Sequence, residues 1–238
     1  MHSPYGFDII ENCLTCKMRS EHIFCDLPPL ALQTFEHIKS PIAYPEGSIL
    51  FLEGQAPRGV FVLCKGRVKL SLSANDGKTL ILKLAEPGEV LGLSATVAGK
   101  PYELSAETMD TCQVNFVKRD DFLRFLKLHV EVCYKVAEQL SKKYNSTCQE
   151  LRSLGLSHSA GERLAKLLLE WNSKYGAALK NGRMNMSLTH EEIAQMIGTS
   201  RETVTRLLTD FKERHILQGM GATLTIIDMP TLRQIATS

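Results

Sequence analysis

Three cysteine thiols lie close together near the start of the chain. Cys13, Cys16 and Cys25 follow a C-x2-C-x8-C spacing in the run CLTCKMRSEHIFC, and the whole chain holds seven cysteines. Thiolates are soft ligands for metal ions, and a pair of thiols can form a reversible disulfide. Because the first residues, MHSPYGFDII, lack the layout of a secretory signal, an odd number of cysteines favours metal ligands or redox sensors over a disulfide framework.

Residues 199–208, TSRETVTRLL, show helical spacing with two unlike faces. Apolar side chains recur at i, i+3, i+4 and i+7 and must meet a core: Val204, Leu207, Leu208 and Phe211. The opposite face carries side chains that can read base edges: Arg201, Glu202, Thr205 and Arg206. A guanidinium matches O6 and N7 of guanine, and a carboxylate can accept from N4 of cytosine. The pattern predicts base reading in the major groove of DNA, against the alternative of a charged face that only meets water.

A second short helix must position this face. In LTHEEIAQMIG, Thr189 can cap a helix and Glu192 can complete a capping box, while Gly198 ends the helix. Ser200 then caps the next helix, so the two form a helix-turn-helix. We expect the hydroxyls at the two helix N-termini to bind DNA phosphates: Thr189, Ser200 and Thr203.

Residues 41–116 hold short runs rich in valine, leucine and isoleucine, separated by glycines. Runs such as GVFVLCKG and TLILKLAEPG are typical of short strands joined by tight turns, which predicts a barrel or jelly roll. Asn75, Asp76 and Gly77 form the turn signal of a hairpin. Upstream, DLPPLALQTFEHI predicts an amphipathic helix with apolar positions at Leu30, Leu32, Phe35 and Ile38.

Residues 119–154 predict one long helix, with Asp120 and Asp121 as candidate caps. Alternating steps of four and three give a narrow seam of apolar or small residues: Cys133, Ala137, Leu140, Tyr144, Thr147, Leu151 and Leu154. Such a seam favours pairing with the same helix of a second chain, and the alternative is packing on the chain's own barrel. Gly155 and SHSAG predict a hinge before a second domain, which is helical first and has a short β element after Gly219 and Gly221.

Composition agrees with two modest domains. The 238 residues are 44% hydrophobic and 23% charged, typical of a globular protein. No run reaches the roughly 18 to 20 apolar residues that a membrane span needs, so we expect a cytoplasmic protein without a membrane partner. The formal charge of +2 argues neither for nor against nucleic acid, since basic groups can be confined to one face.

GTSRETVTRLL resembles the recognition helix of the cyclic-AMP receptor protein and fumarate-nitrate-reduction regulator (Crp/Fnr) superfamily of bacterial transcription factors. The resemblance covers nearly the whole chain. It implies an α+β fold with an N-terminal segment (1–38), a cyclic-nucleotide-binding-like β-roll (39–118), a dimerisation helix (119–154) and a winged helix-turn-helix (155–238).

The resemblance also implies a homodimer that binds palindromic DNA and contacts RNA polymerase through the roll and the turn at 181–183. Arg201, Glu202 and Arg206 match the base-reading positions of the cyclic-AMP receptor branch. The fumarate-nitrate-reduction regulators have a non-arginine residue at the position of Arg201. We therefore expect a TGTGA-like half-site.

The residues that hold cyclic nucleotides in the family have no counterpart here. Aligned on Gly92, the ribose-binding glutamate becomes Leu93, and the phosphate-binding Arg-Ser pair becomes Glu103 and Leu104. A carboxylate repels a phosphate, so we do not expect cyclic nucleotide binding in the family's usual way. An unidentified effector in the roll, or DNA binding without any effector, stays open.

Cys112, in ETMDTCQVNF, resembles the fourth cluster ligand of oxygen-sensing family members. The resemblance implies a [4Fe-4S] cluster on Cys13, Cys16, Cys25 and Cys112, although the second gap of the spacing is longer than in the best-known members. Zinc on the same thiolates, a disulfide switch through Cys13 or Cys16, and cysteines that merely pack remain alternatives. Cys64 and Cys133 are interpreted as packing residues.

An enzyme reading finds no support in the roll. A cupin-like metalloenzyme needs a cluster of histidines with a carboxylate, yet no histidine occurs between His37 and His129. We therefore expect a regulator in which a signal at the roll or at the N-terminal cysteines shifts the long helix and changes the spacing of the recognition helices.

Overall fold

The structure is a computed structural model that describes residues 9, 12–16, 25–157, 159–175, 183–185, 188–219 and 223–237. The chain divides into two compact units. Unit 1 comprises residues 1–77 and 81–146, and unit 2 comprises residues 78–80 and 147–238. Among the helices of the described ranges, none combines the length and the apolar character needed to cross a membrane.

Short antiparallel strands form the β-roll of unit 1, as predicted. They are β1 Ser40–Tyr44, β2 Ile49–Phe51, β3 Gly59–Lys65, β4 Val68–Ser73, β5 Thr79–Ala85, β6 Val90–Leu91, β7 Ser105–Thr108 and β8 Cys112–Lys118. One sheet has the order β1-β8-β3-β6 and the other has the order β2-β7-β4-β5. The predicted hairpin joins β4 to β5, where Gly77 has a φ of 85° and its N–H donates to the Ala74 carbonyl at 3.0 Å.

Four helices accompany these strands along the chain: α1 Pro29–Ile38, α2 Leu93–Ala98, α3 Arg119–Leu128 and α4 Val130–Leu156. The amphipathic pattern predicted α1 correctly, and Leu32 and Phe35 are buried. Leu30 differs from the expectation, because it is 69% exposed and Ala31 is buried in its place. The sequence pattern did not predict α2, a single short helix after Gly92.

The predicted single helix over 119–154 is wrong, because the backbone leaves the helical conformation at His129 and divides it into α3 and α4. The His129 ring is buried, lies 5.1 Å from the Phe125 ring between centroids, and its Nε2 hydrogen-bonds with the Thr34 hydroxyl at 2.9 Å. A tertiary contact thus overrides the helical periodicity. Asp120 and Asp121 lie in the first turn of α3 rather than at its cap, which is Lys118.

The β3–β8 ladder separates two hydrophobic cores, since successive side chains of a strand point to opposite faces. One, the helix-side core, joins one face of the ladder to α1, α3 and α4: Leu27, Ala31, Leu32, Phe35, Val60, Val62, Leu93, Val117, Phe122, Phe125, Val132 and Val136. The other, the roll core, fills the space inside the roll: Leu50, Phe51, Phe61, Leu63, Val68, Leu70, Ala85, Leu91, Ala95, Tyr102, Ala106, Cys112 and Val114.

Unit 2 is helical first and then carries a small sheet, as predicted. Its elements are α5 Ala160–Tyr175, β9 Arg183–Asn185, α6 His190–Ile197, α7 Arg201–Glu213, β10 Leu217–Gln218, β11 Thr223–Ile226 and α8 Met229–Ile235. The sheet has the order β10-β11-β9. Sequence reasoning missed β9 and α8, and the expected hinge residue Gly155 lies inside α4; Gly221 falls outside the described residues.

Tyr102→Phe should lower the free energy of unfolding by about 1 to 3 kcal/mol, because it leaves buried backbone groups without partners. The Tyr102 hydroxyl donates to the Gly59 carbonyl at 2.9 Å and accepts from the Arg58 N–H at 3.1 Å. Urea titration measures the change. Tyr134→Phe, at a side chain that is 75% exposed, is the control and should stay within about 0.5 kcal/mol of wild type. Equal effects of the two changes would contradict the role given to Tyr102.

Candidate nucleic-acid interface and thiol sites

The caps of α6 form as the sequence predicted. The Thr189 hydroxyl accepts the Glu192 N–H at 3.1 Å, and the Glu192 carboxylate accepts the Thr189 N–H at 2.8 Å, which completes the capping box. At the other end Gly198 takes a left-handed conformation, with a φ of 61°. The guanidinium of Arg163, in α5, donates to the Ile197 carbonyl at 2.6 Å. This bond gives a donor to one of the last carbonyls of α6, which have no partner within the helix. Sequence reasoning had not identified Arg163.

Burial fixes the rotation of α7. Val204, Leu208 and Phe211 are 0%, 4% and 2% exposed, while Leu207 is half-buried, so the predicted inner face is confirmed. Ser200 caps the helix by accepting the Thr203 N–H at 3.3 Å. With the apolar face held inward, the remaining face of α7 must turn outward.

The outward face presents all of the predicted base-reading side chains at the N-terminal half of α7: Arg201, Glu202, Thr205 and Arg206 are exposed. The pKa of the Glu202 carboxyl is lowered, first by the Glu202 backbone N–H, then by the Ser200 hydroxyl and by the Arg201 charge. Glu202 is therefore held as an acceptor-only carboxylate, the form that can bind an amino group of a base.

A hydrogen-bond chain links α6 to α7 through Thr205. The Thr205 hydroxyl donates its hydrogen to the Arg201 carbonyl at 3.0 Å, and His190 Nδ1 lies 2.8 Å from the same oxygen. Since a hydroxyl has one hydrogen, Nδ1 must carry the proton of the second bond. Sequence reasoning did not identify His190 as a neighbour of the base-reading face. It stands directly after the cap Thr189, at the N-terminus of α6.

The phosphate-binding candidates lie at the N-termini of α6 and α7 but also bond to each other. The Thr189 hydroxyl lies 2.9 Å from a Glu192 carboxylate oxygen, and the Ser200 and Thr203 hydroxyls lie 3.1 Å apart. Phosphate binding would have to exchange or share these bonds. Of the proposed polymerase-contacting turn, residues 181 and 182 fall outside the described residues.

The predicted seam of α4 is more exposed than its neighbouring face. Cys133, Ala137, Tyr144 and Leu151 are exposed, whereas Leu140, Thr147 and Leu154 are half-buried. Val132 and Val136 instead pack into the helix-side core, and Leu140 contacts it. The helix thus carries two apolar faces: one packs on the helix-side core, and the other is exposed at Cys133, Ala137, Tyr144 and Leu151.

The residues aligned with the family's nucleotide ligands do not fit a cyclic nucleotide. Leu93 is 5% exposed and belongs to the helix-side core, and Leu104 packs against the roll core. Glu103 is exposed and brings a negative charge. These positions supply neither a ribose acceptor nor an anion-binding fork.

Cys112 lies apart from the N-terminal cysteines. It is buried in the roll core, where its thiol donates to the Arg67 carbonyl at 3.3 Å and burial raises its pKa to about 12. Cys13 and Cys25 instead pack against the helix-side core, on the other face of the ladder. The set Cys13, Cys16, Cys25 and Cys112 therefore does not fit a metal cluster, and among the described residues no three metal-ligating side chains are arranged to hold a metal ion.

Comparison with known families gives two matches on this chain. Residues 41–129 match the cyclic nucleotide-binding domain, and residues 162–235 match the Crp-like helix-turn-helix domain. The CRP-like cAMP-activated global transcriptional regulator of Mycobacterium tuberculosis is 28% identical over 215 residues, which cover 90% of this chain and 96% of that protein. The cAMP-activated global transcriptional regulator CRP of Pasteurella multocida is 25% identical over 77% of this chain and 88% of its own length.

Solved structures share the fold. FixK2 from Bradyrhizobium japonicum superposes with a TM-score of 0.73 at 23% identity, over 83% of this chain and 97% of its own. The c-di-GMP responsive global regulator CLP of Xanthomonas campestris superposes with a TM-score of 0.75 at 19% identity, over 85% of this chain and 100% of its own.

Gly198→Ala should destabilise the helix-turn-helix by about 1 to 2 kcal/mol, because a left-handed φ brings a Cβ too close to the following carbonyl. Space does not limit the change, since the nearest side-chain atom to the added Cβ lies 3.4 Å away. Gly155→Ala is the matched control. It adds the same methyl to an open helical position and should stabilise by about 0.5 to 1 kcal/mol. Opposite signs in urea titrations are expected, and equal signs would contradict this interpretation.

Proposed function

We propose that this chain acts as a homodimer that reads an inverted DNA repeat through α7. The chain belongs to the Crp/Fnr superfamily of transcriptional regulators and carries a DNA-binding helix-turn-helix. The family consists of regulators rather than enzymes. The observation that carries the proposal is the position of α7. Its apolar face is buried while Arg201, Glu202 and Arg206 are exposed together at its N-terminal half.

Each exposed side chain has a defined role in the proposal. The Arg201 and Arg206 guanidinium groups bind O6 and N7 of guanines, and the Glu202 carboxylate accepts from N4 of a cytosine. Thr205 contributes a methyl group or its remaining lone pair, because its hydrogen is bonded to the Arg201 carbonyl. This set favours a TGTGA-like half-site, with Thr189, Ser200 and Thr203 near the phosphates at the two helix N-termini.

The exposed face of α4 supports the homodimer. Tyr144 and Leu151 are 71% and 66% exposed, although both are large apolar side chains. Pairing this face with the same face of a second chain would bury them. Binding to an inverted repeat then requires two recognition helices about 34 Å apart, one turn of DNA. Contact with RNA polymerase follows from family membership and is part of the proposal.

The signal is proposed to enter through unit 1 without a cyclic nucleotide bound in the usual way. Two relatives are named as cAMP-activated, but Leu93, Glu103 and Leu104 offer no anion ligand in this chain. Cys13 and Cys25 pack on the same core as α4, so a redox signal at these thiols can bias the helix seam. An unidentified effector in the roll, or constitutive DNA binding, is the second candidate.

Arg201→Ala should weaken binding to a TGTGA palindrome by about 1 to 3 kcal/mol per half-site, because a guanine loses its bidentate partner. Fluorescence anisotropy at a fixed salt concentration measures the loss. Arg214→Ala, at the far end of α7, removes the same charge from a side chain that pairs with Asp210. This control should bind nearly as wild type, and an equal loss in both variants would show that charge alone matters.

Tyr144→Glu should dissociate the homodimer, since it places a charge in the centre of an apolar seam. Gln149→Glu is the matched control because it adds the same charge to an exposed position of α4 outside the predicted seam. Analytical ultracentrifugation of both variants measures the oligomeric state. We expect monomers for Tyr144→Glu and dimers for Gln149→Glu, and a dimer for both would contradict the seam.

A further inference from the structure

Thr205 is bonded to both helices of the helix-turn-helix. Within α7, its hydroxyl donates to the Arg201 carbonyl at 3.0 Å, one turn earlier in the chain. From α6, the Nδ1 atom of His190 lies 2.8 Å from the same oxygen and supplies the hydrogen of the second bond. These two bonds use the hydrogen of the hydroxyl and one of its two lone pairs.

The bond from His190 selects one orientation of the Thr205 side chain. A threonine in a helix divides between two χ1 rotamers, because its oxygen can bond a carbonyl of the preceding turn. Rotation about χ1 to the other well carries the oxygen away from His190 Nδ1 and breaks the 2.8 Å bond. The methyl group is fixed at the same time, because it is attached to the same Cβ as the oxygen.

The start of α6 holds His190 in position. His190 is the first residue of this helix and directly follows the cap Thr189, whose capping box with Glu192 sets where the helix begins. Ile193 and Ile197 are 2% and 3% exposed and bury the inner face of the same helix. The cap and the core therefore both determine the backbone position from which the imidazole reaches Thr205.

The Thr205 methyl group lies on the base-reading face. Thr205 follows Glu202 by three positions and Arg201 by four, so the three side chains are neighbours on the helix surface. Thr205 is exposed, but its oxygen is engaged by the backbone of α7 and by α6. The methyl group is therefore the part of the side chain that is left for a base. In the major groove, thymine presents an apolar C5-methyl group that a threonine methyl can contact.

We propose that Thr205 reads a thymine through its methyl group and that His190 is the positioning residue that orients this methyl group. This role of Thr205 rests on the proposed function, since it requires α7 to lie in the major groove. A TGTGA half-site offers thymine methyl groups at its first and third positions, and one more on the strand opposite its final adenine.

A contact between His190 and a DNA phosphate would be a different role. With its hydrogen on Nδ1, the neutral imidazole carries a lone pair on Nε2, which is an acceptor and does not pair with a phosphate oxygen. A phosphate contact also weakens binding to every DNA sequence alike, whereas a positioning residue changes discrimination at one base. The two roles therefore differ in a quantity that can be measured.

Discrimination between thymine and uracil measures the methyl contact, because uracil lacks only the C5-methyl group. The full chain is titrated by fluorescence anisotropy at a fixed salt concentration with the TGTGA palindrome. It is also titrated with palindromes in which each thymine in turn is replaced by deoxyuridine in both half-sites. We expect wild type to lose about fourfold in affinity per half-site at one thymine, which corresponds to one buried methyl group, and little at the others.

Three variants separate the methyl group from its positioning. Thr205→Ser keeps the hydroxyl and removes the methyl group, so it should bind the thymine and uracil duplexes alike. His190→Ala frees the second rotamer and should reduce the preference for thymine to about twofold per half-site. His190→Asn is the matched control, because its amide nitrogen can donate from the place of Nδ1, and it should keep the wild-type preference.

Three-bond couplings to the Thr205 methyl carbon report the rotamer in the full chain without DNA. We expect one rotamer in wild type and in His190→Asn, and rotamer averaging in His190→Ala. This measurement does not depend on DNA binding. It therefore tests the link between His190 and Thr205 even where a variant binds too weakly to titrate.

Two results would overturn the inference: equal affinity of wild type for thymine and uracil at every position, or a single Thr205 rotamer with an unchanged thymine preference in His190→Ala. A loss of affinity in His190→Ala that is as large for a scrambled duplex would replace the positioning role by a phosphate contact. Failure of the proposed function is a separate result, in which wild type does not prefer the palindrome to a scrambled duplex. The methyl contact then fails with it, while the couplings still decide whether His190 orients Thr205.

Discussion

The antiparallel ladder between β3 and β8 is the interaction on which unit 1 depends. It lies in the middle of its sheet, with β1 beside β8 and β6 beside β3. One face of the ladder contributes side chains to the helix-side core, and the other face contributes side chains to the roll core. Because side chains alternate along a strand, β8 delivers Cys112 and Val114 to the roll core and Val117 to the helix-side core. The same alternation brings Asn115 to Cys13 and keeps Cys112 away from it.

In unit 2 the helical period of the apolar residues constrains the orientation of α7. Burial of Val204, Leu208 and Phe211 fixes the rotation of α7 about its own axis, and this rotation exposes the polar side chains at its N-terminal half. Caps at Thr189 and Ser200 fix where the two helices begin. α4 packs one apolar face on the helix-side core and leaves Tyr144 and Leu151 exposed on the face that we propose pairs with a second chain.

Features that depend on local chemistry could be predicted from the sequence. Periodicity indicated α7 and its inner face, the Thr189 box followed from residue types, and the NDG turn located the β4–β5 hairpin. Features that depend on distant contacts could not. The break at His129 requires its bond to Thr34, and the hydrogen bond from Asn115 to Cys13 joins residues 102 positions apart in the chain. The family resemblance identified Cys112 as a candidate cluster ligand, but it could not predict that the Cys112 side chain points into the roll core.

The most direct test of the central claim, that α7 reads bases, is a double-mutant cycle between Arg201→Ala and the guanines of a TGTGA half-site. Wild type and variant are titrated with the intact palindrome and with duplexes in which each guanine is replaced in turn by 7-deazaguanine, which lacks the N7 acceptor. The account predicts a coupling free energy of about 1 to 3 kcal/mol at one guanine and near zero at the other. Coupling near zero at every guanine would contradict it.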